Sequence, residues 1–343
     1  PVRWRAVPSG AFPYGYVDFE SLVRPDRKTC VYASAFVSGK TAPAGRDISI
    51  WAGSGGALKV FWNGSKVLSN AAERRFDADR LATLVHLAPG ENNLTVKACS
   101  TDSAPVFSIR LADAAGRPDP TLQATNTIRA SADAADVVRA ALASKPRVRA
   151  NGPEGPIQVF DRLTTGKHPK TKDLDAYAHY LVATNGDDPA VHLARNLAST
   201  AADAEPTVQR LLFAAELAED RNQRQAWIER AEKLAVGRNL KVILAKAALA
   251  RESLASRDAF PLYTEALRLD PDNVTALRGQ VELYDEVGLR RTALAVLEAA
   301  VARNPKSVLL LNMYASQLRA LGRATDAEDV VVVEARRAVA ELR

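Results

Sequence analysis

The chain has 343 residues, 47% of them hydrophobic, with Lys+Arg 46 against Asp+Glu 40 and a formal net charge of +6. That length calls for two or more domains, and the apolar share is enough to fill their cores. Charges of both signs are intermixed, which excludes the clustered basic face of a nucleic-acid-binding protein. No apolar run reaches the ~18 residues that would read as a membrane span.

No signal-peptide pattern is legible near Pro1, as expected of a mature chain or of a piece excised from a longer one. Arg is far commoner than Lys and Ala is abundant. That bias is expected of a high-GC bacterial genome and carries no functional signal. The sequence changes character near residue 120. Before that point, short segments rich in Val, Ile, Tyr, Phe and Trp are separated by Gly, Pro, Asn and Asp, the pattern of an all-β domain. After it, Ala, Leu, Arg and Glu dominate, the pattern of packed helices.

In chain order, strands are predicted at Cys30–Val37, Asp47–Trp51, Leu58–Trp62, Lys66–Leu68, Leu84–Leu87, Leu94–Ala98 and Val106–Leu111. Gly53-Ser54-Gly55-Gly56 lacks the Lys-Ser/Thr of a phosphate loop and leads into a strand, so it reads as a tight turn. Asn63-Gly64 accepts positive φ at both turn positions and marks a hairpin between Leu58–Trp62 and Lys66–Leu68. Pro89-Gly90 marks another turn. Leu94-Thr95-Val96-Lys97-Ala98 alternates apolar and polar, as a half-buried strand should. Cys30 and Cys99 both fall in strands and read first as two separate buried thiols. A single disulfide is the alternative, and it would mean an exported protein.

Two motifs here carry a resemblance. Leu58-Lys59-Val60-Phe61-Trp62-Asn63-Gly64-Ser65-Lys66-Val67 resembles the Asn-Gly hairpin of galactose-binding-like jelly rolls. The segment from Leu87 through Pro89-Gly90 to Lys97 is similar to a following strand of that family. The resemblance covers about residues 1–120 and implies a sandwich of eight or nine strands, often found in large exported proteins. It does not imply sugar binding. Trp4, Trp51 and Trp62 could stack on a sugar ring, although Trp in a small sandwich is more often packing. Asp77 and Asp79 could hold a calcium ion, or be plain loop acids.

The helical half opens with a predicted helix at Ser131–Ala143, capped by Ser131. A loop-rich stretch follows, with a short helix around Val159–Leu163. Helical pairs are predicted at Leu174–Thr184 with Pro189–Ser199, and at Thr207–Glu219 with Asn222–Val236. Pro271 and Pro305 then stand 34 residues apart, the tetratricopeptide period. With repeats at 240–273, 274–307 and 308–341, small residues recur in the first helix (Ala247, Val281, Ala315). They recur again where the second helix opens (Ala259, Ala293, Ala327). Gly288 and Gly322 take the turn between helices. Tyr263, Leu297 and Val331 hold the large packing position, and Ala266 and Ala300 the late small one, where Glu334 departs.

This register resembles the tetratricopeptide family. The fold class is therefore multidomain, an all-β jelly-roll sandwich at 1–120 followed by an all-α superhelical solenoid at 121–343. In that family a partner lies in the groove lined by first helices. Carried over, the groove positions hold Lys241, Leu244, Ala248 and Arg251, then Thr275, Arg278, Glu282 and Asp285, then Leu309, Asn312, Ser316 and Arg319. The chaperone-type carboxylate clamp is not formed, because Leu244, Ala248, Gly279, Leu309 and Met313 occupy several of its places. The apolar run Val330–Val333 leaves the last helix without the polar face of a terminal repeat, so the array is expected to continue past Arg343.

No G-x-S-x-G, H-E-x-x-H or C-x-x-C pattern is present. His86, His168, His179 and His192 are dispersed, and neither metal nor cofactor is expected. The reading is of a non-catalytic scaffold that binds a protein or peptide, in the periplasm or cell envelope. Two others stand beside it. One is a carbohydrate-binding module on a helical spacer, using Trp51 or Trp62. The other is an accessory region of an enzyme whose catalytic domain lies elsewhere.

Overall fold

The computed structural model describes residues 4–7, 12, 15–20, 22–39, 45–71, 75–125, 152–184, 188–253 and 256–330. The helix predicted at Ser131–Ala143 lies outside them, as do Val331, Glu334 and the C-terminal segment after Val330. The chain divides into two units, Pro1–Leu197 and Ala198–Arg343.

The first unit holds nine strands among its described residues: β1 (Val17–Asp18), β2 (Thr29–Gly39), β3 (Arg46–Ser54), β4 (Ala57–Trp62), β5 (Ser65–Asn70), β6 (Leu81–Leu87), β7 (Asn92–Ser100), β8 (Val106–Asp113) and β9 (Leu122–Thr125). They form two antiparallel sheets, ordered β1-β8-β3-β6 and β5-β4-β7-β2-β9. Alternation explains the layering. Along β7, Leu94, Val96 and Ala98 are buried while Asn93, Thr95, Lys97 and Cys99 are only partly covered. The inward residues of both sheets meet in one core that includes Val37, Ile48, Ile50, Val60, Trp62, Val85 and Val96. Trp62 is fully buried, and its indole nitrogen donates to the His86 carbonyl at 2.9 Å.

The hairpin at Asn63-Gly64 forms with both residues at positive φ, 48° and 79°. Gly53–Gly56 is a tight link from β3 to β4, and so from one sheet to the other. A side chain at Gly56 would stand 2.2 Å from the Cys99 carbonyl oxygen, so this link passes against β7 only because it lacks one.

Two strands escaped the sequence pattern. β1 is two residues long, and β9 lies past the boundary read at residue 120, pairing with β2 through Phe36–Gly39. The reading of two separate thiols is corrected. Cys30 and Cys99 are directly opposite in the β2–β7 ladder and joined by a disulfide. Register places them there, and register is set by the other strand partners.

Helices α1 (Pro156–Thr164) and α2 (Thr171–Thr184) complete the first unit's described helices before α3 (Asp188–Ala204), in which the division falls. Gln158 of α1 accepts from the Ala82 N–H at 2.8 Å and donates to the Ala82 carbonyl at 3.0 Å. It thereby pairs with the free side of β6, an edge strand. Arg80, almost fully buried, donates to the Thr184 carbonyl at the end of α2 at 3.0 Å. That carbonyl lies in the last turn, where a cation is favoured. Phe160 stacks on Tyr177 with ring centroids 4.9 Å apart.

In the second unit, α4 (Val208–Glu216) pairs with α5 (Arg221–Leu234), α6 (Leu240–Glu252) with α7 (Ser256–Leu269), and α8 (Val274–Glu286) with α9 (Arg290–Arg303). Next comes α10 (Val308–Ala320), and residues 324–330 begin a further helix. First helices α6, α8 and α10 start 34 residues apart. The side chains of Thr207, Asp220, Asn239, Asn273 and Ser307 cap their helices by accepting backbone N–H bonds. Gly288 and Gly322 follow α8 and α10 at φ of 78° and 76°.

Small side chains sit where the helices cross. Ala247, Ala259, Ala266, Ala293, Ala300, Ala315 and Ala327 are all fully buried. Gly279 does the same for an aromatic ring, since a side chain there would stand 2.2 Å from Cζ of Tyr263. Successive first helices contact one another, α4 with α6, α6 with α8 and α8 with α10, more closely than successive second helices do. The side of the stack that the first helices share is its inner face.

Candidate functional site

The face of the first helices that the stack leaves uncovered is the candidate site. On α6, Val242, Ile243, Ala247 and Leu249 are buried, which leaves Lys241 and Ala248 exposed. On α8, Thr275 and Arg278 are exposed, with Glu282 and Asp285 partly covered. On α10, Leu309, Asn312, Ser316 and Arg319 are exposed or partly so. Spacing of three and four residues places each set along one helix face. The twelve predicted groove positions therefore fall on three neighbouring helices of one unit.

These residues divide into two groups. Arg251 on α6 pairs with Glu282 on α8 and with Glu286 at 3.0 Å. Glu286 also accepts from the Ser256 hydroxyl at 2.9 Å. Asp285 accepts from the Gln317 side-chain amide on α10 at 2.6 Å. Arg251, Glu282 and Asp285 thus tie one repeat to the next. Burial pulls the Arg251 pKa down, but the hydrogen bonds and charges of Glu282 and Glu286 outweigh it and leave the guanidinium above its ordinary value. For Tyr263, burial pushes the phenol up, while Arg251 pulls it partly back.

Lys241, Arg278, Asn312, Ser316 and Arg319 are different. Each reaches solvent, and none makes a side-chain hydrogen bond or ion pair among the described residues. Glu286, Ser256 and Gln317 were missed by reading the sequence. A signal exists for Gln317, because Asp285 and Gln317, like Arg251 and Glu282 or Asp272 and Arg303, are separated by slightly less than one repeat. Glu286, 35 residues from Arg251 and 30 from Ser256, does not share that offset.

The sandwich places its candidate aromatics less favourably. Of the two readings open for Trp62, core packing holds and sugar stacking does not, because it lies in the core and offers no face to solvent. Trp51 is on the outer side of β3. The Arg110 guanidinium sits 4.9 Å over its ring, and its nitrogen donates to Ser49 at 3.1 Å. Its Cζ2 edge lies so close to Gly116 that a side chain there would come within 2.9 Å. The two loop acids are also occupied. Asp77 faces Arg80 at 3.4 Å and Tyr180 at 3.3 Å, and Asp79 faces Arg110 at 2.7 Å.

His86 pairs with Asp47 at 3.0 Å, and His192 with Arg195 at 3.0 Å. No group of three or more His, Cys, Asp or Glu that could hold a metal occurs among the described residues. No described helix is long and apolar enough to cross a membrane. A cleft of about 330 Å³ lies between α5, α6 and α7, bordered by the Lys246–Glu232 bridge at 2.7 Å.

No family model matches the chain, and no curated protein does. Among solved structures it is similar to MamA at 13% identity, over 47% of this chain and 87% of that one, with a TM-score of 0.36. It is similar to YrrB, described as a TPR protein with an unusual peptide-binding site, at 12% identity, over 50% and 88%, with a TM-score of 0.34. TTC0263, a thermophilic TPR protein of Thermus thermophilus, is 21% identical over 47% and 88%, with a TM-score of 0.38.

Proposed function

We propose that this chain is a non-catalytic scaffold that takes a protein or peptide segment on the inner face of its stacked first helices. The observation that carries the reading is the row of solvent-facing, unengaged polar side chains that crosses α8 and α10, namely Arg278, Asn312, Ser316 and Arg319, with Lys241 on α6. A rigid helix stack holding such a row offers hydrogen bonds and charges to an extended segment without having to reorganise.

Two further points support the setting. Strand orders 1-8-3-6 and 5-4-7-2, with every link but β4–β5 crossing between sheets, suit a jelly roll of the galactose-binding-like kind. The Cys30–Cys99 disulfide suits an oxidising compartment such as a cell envelope. The sugar-binding alternative is not favoured by any described residue of the sandwich.

The test is peptide-library selection against the immobilised chain, followed by a steric block. Ser316→Trp should abolish binding of the selected peptides, while Ala299→Trp on the second helix α9 should leave it intact, both with unchanged helical circular dichroism. Equal loss in both variants, or in neither, would remove the inner face as the binding site.

A further inference from the structure

Building on the scaffold reading, we infer that the inner face takes an acidic segment punctuated by apolar side chains, laid across the N-terminal halves of α6, α8 and α10. The placement of charge carries this. Every carboxylate of these three helices lies in a C-terminal half, and each is already engaged. Glu252 is held by Arg224, Glu282 and Glu286 by Arg251, and Asp285 by Gln317. The N-terminal halves, residues 240–246, 274–280 and 308–314, contain no Asp or Glu at all. Two exposed cations without an ion pair among the described residues stand there instead, Lys241 and Arg278.

Apolar surface lies beside them. Leu309 is 45% exposed and Leu244 is half-buried. Across the face the order is then Lys241 with Leu244, Arg278 with Thr275, and Leu309 with Asn312. Neighbouring packed helices stand about 8–10 Å apart, and an extended chain covers about 3.3–3.6 Å per residue. Carboxylates two or three residues apart would therefore meet Lys241 and Arg278 in turn. A segment of about six residues crosses all three helices. Wrong partners are excluded by the same charges, since a basic segment would face two unneutralised cations.

The experiment uses the full chain and three fluorescein-labelled octapeptides. One repeats Glu-Leu-Ser, and the others carry Gln or Lys in place of each Glu. Anisotropy titration is expected to show the Glu peptide binding about tenfold or more tighter than the Gln peptide, with affinity falling as salt rises. The double variant Lys241→Glu/Arg278→Glu should erase that preference. A double variant of equal charge on second helices, Lys233→Glu/Arg291→Glu, should retain it, and circular dichroism checks that both are folded.

Equal loss in the two double variants would overturn the inference, because general charge attraction would then explain the binding. Gln or Lys peptides binding as well as Glu peptides would also overturn it. If that binding were still blocked by Ser316→Trp, the scaffold reading would survive alone. Binding to phosphatidylglycerol vesicles with none to the Glu peptide would overturn it in favour of a lipid surface.

Discussion

The two units are held together over different distances along the chain. In the sandwich, neighbours in space are remote in sequence, as when Ser34 meets the Leu94 carbonyl or Cys30 meets Cys99, 69 residues away. In the helical array each pair packs on the next, and its polar ties, Arg251 to Glu282 and Asp285 to Gln317, span about one repeat. The first arrangement should fail as a whole, and the second should yield locally, because each repeat depends mainly on its neighbours. The proposed recognition residues stand on the unit whose parts can be changed one at a time.

The largest effect expected from a single substitution is in the sandwich. Trp62→Ala removes a fully buried ring from the core and leaves the His86 carbonyl without its donor. A loss of about 3–5 kcal/mol is expected, measured by urea denaturation. Hydrogen exchange should show protection falling across both sheets while α8 and α9 are unchanged. Protection lost only around β4 would break the comparison.

Reducing the disulfide comes next. It closes a long loop within the sandwich, and such bonds contribute about 2–4 kcal/mol. Reductant should lower the sandwich transition, followed by near-ultraviolet circular dichroism, and leave exchange protection in α6 to α10 as it was. The smallest effect concerns Tyr263. Burial raises its folded-state pKa, so this contribution is complete below about pH 10, the ordinary tyrosine value, and is lost as pH rises through the folded value. Tyr263→Phe should make the urea midpoint of the helical signal fall less steeply above about pH 10. Identical alkaline slopes in the two proteins would contradict it.

Much of this architecture was legible beforehand, for physical reasons that differ between the units. A helix repeat writes its crossing points into local sequence, so Ala247, Ala259, Gly288 and Gly322 stood out at fixed spacing and all occupy the expected places. The Asn63-Gly64 hairpin was readable because turn geometry is local too. The disulfide was not, since nothing local says that Cys30 will lie opposite Cys99. β1, at two residues, is too short to show a period. The register placed the twelve groove positions along one face of three first helices, but their split into tying and free residues depends on the neighbouring helix. For Trp62 the packing reading holds and the stacking alternative falls, since its strand alternation points it to the core.

One side chain bears on how this protein stays apart from copies of itself. Gln158 offers Ala82 the same donor and acceptor that another strand's peptide group would offer. An open strand edge is a template for adding chains, and cross-β growth begins on such edges. A fragment cut before α1 would keep both sheets and lose that stopper. Gln158 thus fills, at Ala82, a place where another strand could pair, and a dissection of the chain should keep α1 with the sandwich.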